Sequence, residues 1–157
     1  LTYVAVPAMM VYWFSMVPPG WETVAAAAMV GVSCYTFANT GVKSDDCYFV
    51  GFPALWNLVV LIFYITGSDA WVNLAVIGVC AVLTFVPLKY VHPFRVRHFR
   101  RITIPVTVVW AGTSLGLVLM EPGVGRAEAP AVFWLWAASS AWFAAVSLWR
   151  SLIRPDG

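Results

Sequence analysis

The sequence is short of charge. Of its 157 residues only 10% are Asp, Glu, Lys or Arg, whereas 62% are hydrophobic; a soluble domain carries about 25% charged residues. So few charged side chains cannot cover a water-facing surface, which excludes a soluble globular enzyme. Nine Trp, ten Phe and six Tyr exclude a disordered chain, because such segments are poor in aromatics. A strong charge of either sign is missing too: the net charge is +2, which gives no support to a nucleic-acid partner. Cysteine is scarce. Cys34, Cys47 and Cys80 are an odd number without CxxC spacing, so they read as small buried hydrophobes, not as a disulfide framework or a zinc site. There is no SxxK, HExxH or P-loop signature. The chain opens on Leu1, inside an apolar segment with no basic n-region, which is unlike a signal peptide; further residues are expected to precede it in the complete protein.

What is there is long apolar runs. The charged residues leave six charge-free intervals, 1 to 21, 23 to 42, 47 to 68, 70 to 88, 102 to 120 and 129 to 149. Crossing a hydrocarbon core of roughly 30 Å takes about 20 largely apolar residues. Turn residues fall between the runs: Pro18-Pro19-Gly20, Gly67-Ser68-Asp69 and Glu121-Pro122-Gly123. The expected fold is therefore an all-α polytopic membrane protein with six transmembrane helices in one membrane domain, 1–157. Basic residues favour the cytoplasmic side. With residue 1 inside, the inside segments hold Lys43, Lys89, Arg95, Arg97, Arg100, Arg101, Arg150 and Arg154, and the outside loops hold Arg126 alone. The C-terminus is then cytoplasmic.

Trp13, Trp21, Trp71 and Trp149 lie near expected helix ends, where an amphipathic ring suits the headgroup level, while Trp110 and Trp142 read as packing residues. Gly112 and Gly116 form a GxxxG, a spacing that lets two helices approach closely. No Asp, Glu, Lys, Arg or His lies at the middle of any expected span. Proton and ion relays of pumps and coupled transporters are built from such residues, so the chemistry is expected at the membrane surface.

Two inside segments carry polar chemistry. Residues 37–57 combine Lys43, Asp45, Asp46, Asn39, Asn57 and the aromatics Phe37, Tyr48, Phe49, Phe52 and Trp56. Adjacent carboxylates hold a headgroup or a metal, or simply cap a helix and face water. Aromatic rings beside a carboxylate suit a quaternary ammonium through cation–π attraction. Residues 89–101 hold Lys89, His92, Arg95, Arg97, His98, Arg100 and Arg101. Such a cluster binds anionic lipid or a substrate phosphate, or acts only as a topology determinant.

The stretch FANTGVKSDDCYFVGFPALWN at 37–57 resembles a loop of the bacterial phosphatidylcholine synthases, within the CDP-alcohol phosphatidyltransferase family. Its F-x-G-[FL]-P element stands at Phe49-Val50-Gly51-Phe52-Pro53. LTYVAVPA at 1–8 and LTFVPLKYVHPFRVR at 83–97 resemble two further stretches, in the same order. The resemblance implies attack of the choline hydroxyl on the lipid-bearing phosphate of CDP-diacylglycerol, with Mn²⁺ or Mg²⁺, releasing CMP at the cytoplasmic face of the bacterial inner membrane. The family's D-G-x2-A-R signature is not in the sequence, so no catalytic base and no metal ligand is assigned within it. The metal ligands are expected upstream of Leu1, in a complete protein of eight helices, and the chain alone is expected to be inactive.

Carried over by the resemblance, Lys43 steadies a substrate phosphate, Asp46 with Tyr48, Phe49 and Trp56 helps define the choline pocket, and Phe52 is a further substrate-binding residue. Asn57 orients polar groups nearby, and Lys89, His92 and Arg95 meet the lipid phosphate. Asn39 and Cys47 stand where family members often have Asp and Asn, and neither is given a role. Serine or another alcohol in place of choline is the near alternative, and a non-catalytic transporter or anchoring subunit is the distant one. Whether the assembly is a monomer or a homodimer is not fixed by these residues.

Overall fold

Each of the six charge-free intervals contains one principal helix. The computed structural model describes residues 2–38, 49–50, 52, 54–86, 89–90 and 100–153, with the backbone alone for 49–50, 89–90, 100 and 147–153. The helices are α1 (Ala5–Trp13), α2 (Glu22–Ala38), α3 (Trp56–Thr66), α4 (Ala70–Leu83), α5 (Arg100–Val118), the single turn α6 (Gly125–Glu128) and α7 (Pro130–Ile153). Two strands of two residues each, β1 (Phe49–Val50) and β2 (Lys89–Tyr90), lie in the polar segments. All other regular structure among the described residues is helical.

Local chemistry sets the helix starts. Glu22 opens α2 and its carboxylate accepts from the Gly20 N–H at 2.7 Å, placing negative charge at the positive end of the helix. Asp69 caps α4 by accepting from the Trp71 N–H at 2.9 Å. Pro130 takes the first position of α7, where no N–H is needed.

Within the described residues α1, α2, α3 and α4 are shorter than the apolar runs that hold them. Only Arg101–Val118 in α5 is long and apolar enough to cross a bilayer among the described residues; α2, α3, α4 and residues 130–146 of α7 are apolar but shorter. The eleven residues of α3 rise about 16 Å, roughly half a hydrocarbon core. The run 47–68 loses its first part because Phe52 and Ala54 lie outside any helix, and Ala54 takes the left-handed region with φ 52°.

The chain divides into two units. In unit 1 (Leu1–Tyr64 and Ser68–Leu88) α1 packs on α2 and α2 on α4. Its core joins Val11, Val17, Met29, Trp56, Val60 and Ile77, with small Ala8 and Ala25 between helices. A polar knot fastens one end: the buried Asn73 amide donates to the Met16 carbonyl at 2.7 Å, and its Oδ1 accepts from Ser68 Oγ at 2.5 Å.

Unit 2 (Ile65–Gly67 and Lys89–Gly157) is built on α5 against α7. Trp110 Nε1 donates to Ser140 Oγ at 3.0 Å, and the Trp110 ring meets Phe143 edge-on at 6.4 Å. One turn along each helix, Ser114 Oγ and Trp136 Nε1 are buried without a hydrogen-bond partner. The Arg126 guanidinium stands over the Trp134 ring, 5.6 Å from its centroid.

Candidate functional site

Ten residues carry the sequence-based site. Lys43, Asp46, Tyr48, His92 and Arg95 lie outside the described residues. Phe49 is placed by its backbone in β1, within unit 1, and Lys89 by its backbone in β2, within unit 2, where β2 lies against α7. Phe52, Trp56 and Asn57 are described with their side chains, all in unit 1.

Trp56 is the first residue of α3 and has no exposed surface. Its indole N–H donates to Ser33 Oγ on α2 at 2.9 Å. The Ser33 hydroxyl in turn donates to the Met29 carbonyl one turn earlier, at 2.6 Å, which leaves an oxygen lone pair for Trp56. Phe52 stands edge-on to the Trp56 ring, with centroids 5.1 Å apart and planes at 62°. Its backbone N–H donates to the carbonyl of Leu83, the last residue of α4, at 3.2 Å. Phe52 and Trp56 are thus tied to α4 and α2 respectively. Between them Ala54 is buried in a left-handed conformation that costs about 1 to 2 kcal/mol for a residue with a Cβ. Fixed at both flanks, the corner persists in spite of that cost.

Phe52 is half-buried, whereas Trp56 has no exposed surface. Asn57 is exposed. A second aromatic pair lies at the ends of α2 and α4, Tyr35 and Phe85, with centroids 4.8 Å apart and both rings exposed. Ser33, Tyr35 and Phe85 were not singled out in the sequence. The one available signal was Ser33, a hydroxyl four residues after Met29 in an apolar helix.

The arrangement offers aromatic surface and backbone ties. Among the described residues no group of three His, Cys, Asp or Glu side chains converges to hold a metal ion. Gly112-Thr113-Ser114-Leu115-Gly116 has the GxSxG spacing, yet it is helical throughout in α5, with Ser114 buried. A nucleophile elbow needs a strand-to-helix turn that exposes the serine, so this pentapeptide is not one.

The chain is similar to curated bacterial phosphatidylcholine synthases. It is 43% identical to the enzyme of Pseudomonas aeruginosa over 151 residues, which are 96% of this chain and 62% of that protein. It is 35% identical to the Rhizobium johnstonii enzyme over 77% of this chain and 50% of that protein. With the Mesorhizobium japonicum enzyme it shares 36% identity over 70% of this chain and 41% of that protein. The chain therefore spans between two fifths and about three fifths of the length of these relatives. No family model matches the sequence. No solved structure matches it either. The likeness runs through nearly all of the chain: it is similar throughout to the phosphatidylcholine synthases, a family of phosphatidyltransferase enzymes, of which it spans at most 62%.

Proposed function

We propose that this chain belongs to an enzyme that makes phosphatidylcholine from CDP-diacylglycerol and choline. The observation that carries the reading is the 43% identity extending over 96% of the chain. The choline hydroxyl oxygen attacks the lipid-bearing phosphorus. The bond from that phosphorus to the bridging oxygen breaks, CMP leaves, and the hydroxyl proton passes to a base outside this chain.

The chain's own part is to receive choline and anionic phosphate. Phe52 presents its ring to the trimethylammonium group, together with Phe49, Tyr48 and the Asp46 carboxylate, and Trp56 backs that ring from within the core. Asn57, exposed at the first turn of α3, orients polar groups of the substrate. Lys43, Lys89, His92 and Arg95 offset phosphate charge. The family's Mn²⁺ or Mg²⁺ would neutralise charge on the pyrophosphate. The described residues do not fit such an ion, and no step through it is assigned to them.

The setting is a bacterial inner membrane, with six spans in one membrane domain and a cytoplasmic C-terminus; a homodimer is the proposed assembly. Exposed apolar side chains support the bilayer: Leu119 is 81% exposed and Trp13 70%, with Trp71, Val108 and Leu115 also exposed. A soluble protein rarely leaves that much apolar surface in water. Arg101–Val118 is apolar yet mostly unburied, unlike the core helix of a soluble protein. Contacts within unit 1 agree with the alternation of spans. Met16 meets Asn73 and Phe52 meets Leu83, each pair joining ends that a six-span path puts on one side.

The test is CMP release from membranes that contain the full reading frame, supplied with CDP-diacylglycerol, Mn²⁺ and either choline or serine. Choline-dependent CMP release is the expected result. Release with serine alone would move the reading to a sister enzyme, and no release from inserted protein would move it to a transporter or subunit.

A further inference from the structure

Ser33 belongs to no motif of the sequence, yet it holds the residue on which the aromatic corner is built. It is 1% exposed, and its hydroxyl is the acceptor of the Trp56 indole N–H at 2.9 Å. Its own proton is committed to the Met29 carbonyl at 2.6 Å, so the direction of both bonds is settled. Trp56 has no exposed surface and cannot turn its N–H to water, while Phe52 rests edge-on against its ring. We infer that Ser33 is a positioning residue for choline: through Trp56 it sets the orientation of Phe52, and so the apparent affinity for the quaternary ammonium. This rests on the choline reading given above.

The chemistry is asymmetric. Removing the hydroxyl leaves a buried indole donor without an acceptor, so the ring must shift or the corner must open. Removing the donor instead leaves Ser33 still bonded to Met29. Removing both leaves no orphaned group. Ser33→Ala is therefore the damaging change, Trp56→Phe the mild one, and Ser33→Ala/Trp56→Phe recovers toward Trp56→Phe alone. The groups proposed above for phosphate charge, Lys43, Lys89, His92 and Arg95, are different ones, so the damage falls on choline KM and not on kcat.

The experiment measures choline-dependent CMP release at saturating CDP-diacylglycerol in the full reading frame, normalised to inserted, monodisperse protein. The parent and the three variants are compared. Ser33→Ala is expected to raise choline KM about tenfold with kcat within about twofold, and the double variant to return to within about twofold of Trp56→Phe. An unchanged choline KM in Ser33→Ala overturns the inference while leaving the synthase reading intact. So does a fall in kcat alone, or a double variant worse than either single one. A parent that releases no CMP with choline overturns the synthase reading itself, and the inference with it.

Discussion

Gly67 and Gly123 meet backbone to backbone: a Cβ built on Gly67 would stand 2.7 Å from the Cα of Gly123, and one on Gly123 would stand 3.0 Å from the Cα of Gly67. Both residues take positive φ, 57° and 76°. The turn after α3 and the turn after α5 can come this close because neither residue at the contact has a side chain.

Gly67→Ala should therefore suffer twice, from a left-handed alanine and from a clash with backbone, for a total of about 3 kcal/mol. Gly20, at φ 87° with no neighbour for an added Cβ, supplies the comparison. Gly20→Ala should cost about 1 kcal/mol, from conformation alone. Thermal unfolding in mild detergent, followed by loss of the monodisperse peak, separates the two. Equal shifts would deny the close approach.

Asn73→Leu keeps the branch at Cγ, adds apolar volume, and removes the donor to Met16 and the acceptor for Ser68. A part-buried carbonyl loses its partner, and stability should fall by about 2 kcal/mol in a denaturant titration. Asn73→Asp should be no better, because a carboxylate cannot donate to Met16.

Phe52 and Trp56 should separate in kind. Trp56→Ala empties a site with no exposed surface and should cost about 3 to 5 kcal/mol, read as loss of folded protein. Phe52→Leu keeps apolar volume at a half-buried site and should yield normal amounts of folded protein, with a choline KM raised severalfold. Unaltered choline KM in Phe52→Leu would remove the ring from the proposed pocket.

Two tryptophans of one helix pair should respond in opposite directions. Trp110→Phe deletes the bond to Ser140 and should destabilise by about 1 kcal/mol, the usual net worth of a hydrogen bond within a protein. Trp136→Phe deletes a buried N–H that has no acceptor, and should be neutral or slightly stabilising. Paired denaturant titrations give the sign of each.

The helices were legible because charge marks their borders. Glu22 and Asp69 stand at helix starts and bound the same runs in the sequence. Helix length was not legible: the run 47–68 reads as continuous, and nothing in its hydrophobicity shows that Ala54 leaves the helical region. Trp13, Trp21 and Trp71 are exposed, as rings at a headgroup level would be. Close helix approach was expected at Gly112 and Gly116, but a Cβ on either would meet nothing within 4 Å; the tight contact is instead between turn glycines. The site was legible as a segment and not as a geometry. Trp56 reads as one more aromatic of the loop until its bond to Ser33 is seen, and a partner 23 residues away leaves no trace in local periodicity. Five of the ten site residues lie outside the described residues.

The Asn73 knot also sets an order of events during synthesis. Asn73 reaches back 57 residues to the Met16 carbonyl. At about 5 to 20 residues per second the ribosome takes roughly 3 to 11 s to cover that distance. Through that interval the Met16 carbonyl lacks this amide and must be hydrated instead. The turn between α1 and α2 thus gains its Asn73 partner only after the start of α4 has been made.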